Sequence, residues 1–296
     1  MLVWRVIISA ILIPLLIGIF YLDAKVGEPA WFLLGLVQLL GFRSVWELTE
    51  LLKGRFPRIQ ASVLYPCVSM ILLGSWFPHL QQPAPSHLDL TPLALAMCFA
   101  VMALFAVQAL RFREPGASVE TLATELLIVT YVGLLLAMMS QLRWVAGQEA
   151  GYLVIGSLLI CGKGGDIGAY FFGKRWGKRP MAPLLSPKKT WEGALGALVG
   201  AALGGWLWLR FATPMIVPGA SPPAWYYAVV YGVFIGVAGM VGDLCESLLK
   251  RDVGRKDSAA LFPGFGGILD MLDSVLYAGP VALLLWKVLP LATWMK

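Results

Sequence analysis

Nine stretches of mostly apolar residues recur along the chain, each set off from the next by a short segment carrying Pro, Gly or charge. A helix rises about 1.5 Å per residue, so roughly 20 apolar residues cross the ~30 Å hydrocarbon core of a bilayer. The stretches run approximately from 3 to 22, 29 to 45, 61 to 78, 90 to 110, 121 to 141, 151 to 173, 191 to 211, 225 to 249 and 268 to 291. Their lengths suit spanning helices, which alone among open structures satisfy every backbone polar group inside lipid. The pattern therefore predicts an all-α integral membrane protein, polytopic, with about nine transmembrane helices. Arg5 ahead of the first run resembles the start of a secretory signal, but no small-residue cleavage site follows and Phe20-Tyr21-Leu22-Asp23 reads as a membrane exit.

Composition supports this reading. The chain is 59% hydrophobic and 14% charged, against ~45–50% and ~25% for a soluble domain, and its mean hydropathy is +0.77. Charge then adds an orientation, because Lys and Arg collect in short cytoplasmic loops. Sorted by alternate loops, seventeen of the 23 basic residues fall on one side, five on the other, and Lys163 lies within a span. The expectation is a cytoplasmic N-terminus and an outer C-terminus. No nucleic-acid partner is expected. Cys67, Cys98, Cys161 and Cys245 all lie in apolar stretches without metal-ligand spacing, which argues against zinc and a disulfide framework and for small packed residues. The two histidines, His79 and His87, sit in a Pro-rich loop and read as solvated. No internal repeat or separate soluble domain is evident, so the chain divides into spans 1–5 (residues 1–150) and spans 6–9 with their loops (residues 151–296).

Acidic residues inside apolar spans need a reason, since a charge at the bilayer centre costs about 2.5–3.5 kcal/mol on the translocon scale. Asp166 lies in the sixth span, Glu192 at the start of the seventh, Asp243 and Glu246 late in the eighth, and Asp270 and Asp273 early in the ninth. At helical spacing Asp243, Glu246, Ser247 and Lys250 share one face, with Val241, Leu244 and Leu248 largely off it. Asp270 and Asp273 are three apart and project together, a spacing that lets two carboxylates reach one ion or a pair of ions. Ion pairing with neighbouring Lys and Arg for structure alone is the other reading.

Between these spans, Lys250-Arg251-Asp252-Val253-Gly254-Arg255-Lys256-Asp257 alternates cations with acids and turns through Pro263-Gly264-Phe265-Gly266-Gly267. Such a loop fits an anion approached by backbone N–H groups, with Asp257 and Asp270 or Asp273 holding Mg²⁺; it also fits a plain turn and a topology signal. A second cluster, Ser186-Pro187-Lys188-Lys189-Thr190-Trp191-Glu192-Gly193, places two lysines beside a helix start for which Thr190 suits the N-cap. Upstream, Asp166 to Gly173 puts an acid among small residues, which allows close helix packing as readily as a ligand site.

In this order, the three stretches resemble the phosphatidate cytidylyltransferase, or CDP-diacylglycerol synthase, family. Ser247-x-x-Lys250-Arg251, then Lys256-Asp257, then Pro263-x-x-Gly266-Gly267-Ile268-x-Asp270-x-x-Asp273 is similar to the family signature over 27 positions. The likeness covers roughly residues 160 to 275. Two positions depart from it, Phe265 where the family usually has His and Met271 where it has Arg, while every acidic position is kept.

The resemblance implies transfer of a cytidylyl group from CTP to phosphatidate, giving CDP-diacylglycerol and diphosphate, at a site that faces the cytoplasm across the cell inner membrane. It implies Mg²⁺, with room for a second metal ion, and Asp243, Asp257, Asp270 and Asp273 as the ligand pool. Lys250, Arg251 and Lys256 would meet the triphosphate or the departing diphosphate. Ser186, Lys188, Lys189 and Thr190, with Asp166, Glu192, Ser247, Gly266 and Gly267, would form the surrounding substrate site, and a homodimer is implied by analogy. A rival within the enzyme class acts on another lipid phosphate or a polyprenol. A rival outside it is a non-catalytic or ion-coupled transporter, against which the absence of paired repeats argues.

Overall fold

The computed structural model describes residues 2–81, 89–259 and 266–294, and of residues 2–6 only the backbone. His87, Pro263, Gly264, Phe265 and Lys296 lie outside the described residues. In chain order the elements are α1 (Leu2–Val26), α2 (Trp31–Leu52), α3 (Ala61–Trp76), α4 (Thr91–Arg111), α5 (Ser118–Ile128), α6 (Leu135–Ser140), α7 (Gly151–Trp176), β1 (Pro180–Ala182), β2 (Ser186–Thr190), α8 (Trp191–Ile216), α9 (Trp225–Asp252) and α10 (Ile268–Val288). A π-helical turn, Val129–Leu134, joins α5 to α6 into one continuous rod. Among the described residues nine helices are long and apolar enough to cross a membrane. The many exposed large apolar side chains along them, such as Phe99, Met102, Phe211 and Phe234, make a surface suited to lipid. The chain is a multi-pass membrane protein.

Contacts divide the chain into two compact units, Met1–Met138 with Asp252–Met271, and Met139–Arg251 with Leu272–Lys296. In the first unit, three buried carboxylates cap helices from a distance. Asp23 on α1 accepts the Leu33 N–H at 3.0 Å and Glu125 on α5 accepts the Gln60 N–H at 3.1 Å. Glu47 on α2 accepts the Ile268 and Leu269 N–H groups, both at 2.9 Å. Neither Ala30 nor Gln60, the residues at the N-caps of α2 and α3, supplies a side-chain cap, so the distant acids satisfy donors that would otherwise be orphaned in a low-dielectric interior.

The second unit is held by glycine. Along α7 and α8, Gly168 faces Gly196, Gly164 faces Gly200, Ile160 faces Gly204 and Gly156 faces Trp208. Four residues forward on one helix match four back on the other, so the pair is antiparallel in constant register, and a Cβ on Gly164, Gly168, Gly196 or Gly200 would strike a carbonyl oxygen of the partner helix. Gly232 on α9 approaches the backbone of Ala201 and Ala202, and Gly242 that of Asp273 on α10. A buried Ser157–Tyr231–Trp286 cluster, with Ser157 Oγ 2.8 Å from the Tyr231 hydroxyl and 3.3 Å from Trp286 Nε1, closes the far end of this bundle.

Hydropathy misplaces several boundaries. It ends the second span at 45, whereas α2 continues to Leu52, because Arg43 and Glu47 pair along the helix at 2.9 Å and Glu47 is wholly buried. Likewise α1 runs on to Val26 through Asp23, whose carboxylate is turned inward. The structure adds an antiparallel hairpin, β1 with β2, between α7 and α8. His79, read as solvated, is buried in a 3₁₀ turn over Phe77–Leu80. Of the cysteines, Cys67 and Cys161 are packed, but Cys98 is exposed on α4.

Candidate active site

In the second unit, the polar end of the α7–α10 bundle encloses a cavity of about 230 Å³. Its floor is made of small residues, Gly162, Gly165, Ala169 and Gly173 from α7, Gly193 and Ala197 from α8, and Gly236 and Gly239 from α9. Asp166, Lys188, Lys189, Thr190, Asp243 and Ser274 supply its polar groups. A larger cavity of about 680 Å³ lies between α8 and α9 nearer Arg210, but that guanidinium is its sole charged group, with Trp206, Trp225 and Pro222 among its walls. Phosphate chemistry needs convergent charge, so the smaller cavity is the candidate site.

Lys189 arrives at the cavity because β2 carries it to the foot of α8. Thr190 is the N-cap of α8, as its position in the sequence predicts, and its Oγ1 accepts the Gly193 N–H at 3.1 Å. Glu192 in the first turn accepts the Lys178 and Arg179 N–H groups at 3.1 and 3.3 Å and Arg179 Nε at 3.1 Å. Its carboxylate thus ties the hairpin to the helix. Arg251 donates from Nε to the Leu185 carbonyl at 3.2 Å, fastening the hairpin tip to the end of α9. The strands therefore fix where the two lysines stand.

The Lys189 Nζ is 2.6 Å from Asp243 Oδ2, with the two side chains 24% and 38% exposed. That ammonium is buried at the atom, and the carboxylate can take only part of its three donors. The pair is a close ammonium–carboxylate contact, and the lysine's remaining donors suit an anion entering the cavity. Asp273 is within electrostatic reach of Asp243 and hydrogen-bonding reach of Glu246, and its Oδ1 accepts the Ser274 N–H at 2.5 Å and the Ser274 hydroxyl at 3.0 Å. One turn along α9, Glu246 is wholly buried and pairs with Lys250 at 2.5 Å. The shared polar face of Asp243, Glu246, Ser247 and Lys250 is present, and Val241 and Leu248 are exposed away from it. Lys163, unremarked in the sequence except for lying inside a span, pairs with Asp166 at 2.8 Å on the exposed side of α7.

The other signature residues belong to the first unit. Asp257 and Lys256 are exposed. Asp270 Oδ2 accepts the Gly267 N–H at 2.7 Å, the Ser258 N–H at 3.1 Å and the Ser258 hydroxyl at 2.8 Å. Gly266 has φ +86°, and a Cβ there would run into the Asp270 carboxylate, while one on Gly267 would meet Glu47 and Ser258. These glycines make room for carboxylates, a reason distinct from anion approach. Ser186 and Ser247 do not line the cavity. Among the described residues, no three of the His, Cys, Asp and Glu side chains gather closely enough to cage a metal by themselves. Sequence reasoning missed Glu47, whose only signal is its i,i+4 spacing from Arg43.

The family model described as the Cytidylyltransferase family matches residues 3–289. The chain belongs to the cytidylyltransferase family. It is 33% identical to a phosphatidate cytidylyltransferase of Pseudomonas aeruginosa over 97% of both chains. A phosphatidate cytidylyltransferase of Haemophilus influenzae is 42% identical over 39% of each chain. The uncharacterized protein YnbB of Escherichia coli is 37% identical over 45% of this chain and 42% of its own length. The stronger identities thus sit in partial alignments, and the likeness to the Pseudomonas protein runs end to end. As a member of this family the chain is a nucleotidyltransferase.

Proposed function

We propose that this protein is a phosphatidate cytidylyltransferase. A phosphate oxygen of phosphatidate forms a bond to the α-phosphorus of CTP, the bond from that phosphorus to the bridging oxygen of the β-phosphate breaks, and diphosphate leaves with the electron pair. The observation that carries the reading is the cavity lined by Lys188, Lys189 and Asp243 in a membrane chain whose end-to-end relatives bear that name. A phosphate monoester has a second pKa of about 6 and is largely dianionic near pH 7, so the nucleophile needs positioning and charge screening more than a strong base. Lys189, with donors to spare, screens and orients a phosphate, and Lys188 on the exposed side of the same strand meets it from solvent.

The donor set fits Mg²⁺, which takes one or two carboxylates and completes its octahedron with water and substrate phosphate oxygens. Asp243 and Asp273 would hold it, and the ion when bound supplies Lewis-acid stabilisation of charge on the phosphoryl oxygens. Asp257 stays in the ligand pool on the signature alone; Asp270 does so with one of its oxygens already occupied by Ser258 and Gly267. Lys250, Arg251 and Lys256 are the reserve of cations for diphosphate. CTP is water-soluble and cytosolic, so the seventeen basic residues on one side support a site opening to the cytoplasm across the inner membrane, with the N-terminus on that side. A homodimer is proposed on the family likeness.

The deciding experiment incubates purified protein with phosphatidate, Mg²⁺ and radiolabelled CTP and extracts the lipid. Labelled lipid that requires phosphatidate and is lost in Asp257→Ala and on chelation is expected. Labelling that requires a polyprenol or another lipid phosphate instead would overturn the substrate, and no labelling with any lipid would overturn the reaction.

A further inference from the structure

We propose that Glu47, on the second span and outside every signature motif, is a positioning residue for Asp270, a member of the proposed metal-ligand pool at the start of α10; this rests on the transferase reading above. The N-cap of α10 is Gly267, which has no side chain to accept the first N–H groups of the helix. Half of a capping box is nonetheless present, because Asp270 at the third helical position reaches back to the Gly267 N–H at 2.7 Å. In place of an N-cap side chain, Glu47 accepts the first two N–H groups of the helix. Its Oε1 accepts the Ile268 N–H at 2.9 Å and its Oε2 the Leu269 N–H at 2.9 Å, some 220 residues away in sequence.

A third tie joins the two acids. The Ser258 hydroxyl lies 3.1 Å from Glu47 Oε2 and 2.8 Å from Asp270 Oδ2, so its single proton bridges them. Arg43 Nε, 2.9 Å from Glu47 Oε1, balances the charge on its own helix. Glu47 is wholly buried, and a carboxylate in such a place is retained only where donors surround it. Gly267 itself is explained by the same contact, since a Cβ there would occupy the carboxylate's position. The first turn of α10, which carries Asp270, is therefore set by Glu47. An amide cannot replace the acid, because its NH₂ would face either the Ile268 or the Leu269 N–H.

The test compares wild type, Glu47→Gln and Ser258→Ala for hydrogen exchange, thermal unfolding, and kcat and KM for CTP with phosphatidate. Glu47→Gln is expected to raise exchange in residues 267–272 selectively and to lower kcat by about 10- to 100-fold, the usual cost of losing the support of a ligating group. KM for CTP should change less than about twofold. Ser258→Ala should act in the same direction more weakly and add little in the Glu47→Gln background. A folded Glu47→Gln protein with unchanged kcat, or unchanged exchange in this turn, overturns the proposal, as does a uniform rise in exchange with unchanged activity per folded molecule. Should Glu47→Gln fail to fold, Ser258→Ala decides by the same two readouts. A wild type that makes no product overturns the transferase reading and with it the catalytic role, while the exchange measurement still reports whether Glu47 fixes the turn.

Discussion

A single short contact, Lys189 Nζ to Asp243 Oδ2 at 2.6 Å, concentrates the chemistry of the second unit. The side chains are 24% and 38% exposed, but the ammonium itself is buried, so loss of the carboxylate leaves an uncompensated charge. In the proposed reaction the pair's value is electrostatic preorganisation of a phosphate site. Asp243→Asn should accordingly lower turnover by about 10²–10³-fold and also lower the unfolding temperature, because Lys189 loses its counter-charge, checked by lipid-extracted product per folded molecule beside thermal melts in detergent. Asp243 and Lys189 could both be singled out from sequence, as an acid within a span and a lysine before a helix. That they meet could not, since nothing local relates β2 to α9. Glu47 illustrates the harder case: its burial and its four donors depend on groups supplied by three separate segments.

At the scale of elements, α7 and α8 carry the site between them, and their glycine register brings Asp166 and Lys189 to one end. Gly168→Leu would force a side chain onto the Gly196 carbonyl. Overpacking costs about 1–3 kcal/mol where neighbours can shift, and here the obstacle is backbone, so loss of the monodisperse peak in size-exclusion chromatography is expected. Gly35→Ala on α2 is the contrast. Nothing lies within 4 Å of a Cβ there, and alanine in place of a helical glycine gains up to about 1 kcal/mol, so the peak should persist and the melt move up slightly. Thr190→Ala removes the one side-chain cap of α8 and should cost about 1 kcal/mol, read as a lower melting temperature. The helices themselves were legible as apolar runs. The hairpin was not, because Pro180 to Thr190 is short, polar and punctuated by prolines, and its strands are held by Glu192 and Arg251 from flanking helices.

For the whole molecule, nine membrane-length apolar helices among the described residues imply that the loop after α6 and the hairpin after α7, separated by the one helix α7, lie on opposite faces of the membrane. In a background without native cysteines, Lys178→Cys should be shielded from a membrane-impermeant maleimide in spheroplasts and labelled in inverted vesicles, with Glu149→Cys behaving in reverse; both positions are exposed. The opposite labelling would invert the proposed orientation. Sequence alone determined the membrane class, the number of spans and the motifs that tie the chain to its family. These are properties of local composition and spacing, read against a bilayer of known thickness. Tertiary structure decided which charges are partners, how far α2 extends and why Gly266 and Gly267 are glycine. Those outcomes turn on donors brought together from residues as much as 222 positions apart, and a buried acid is tolerated only once its distant partners are in place.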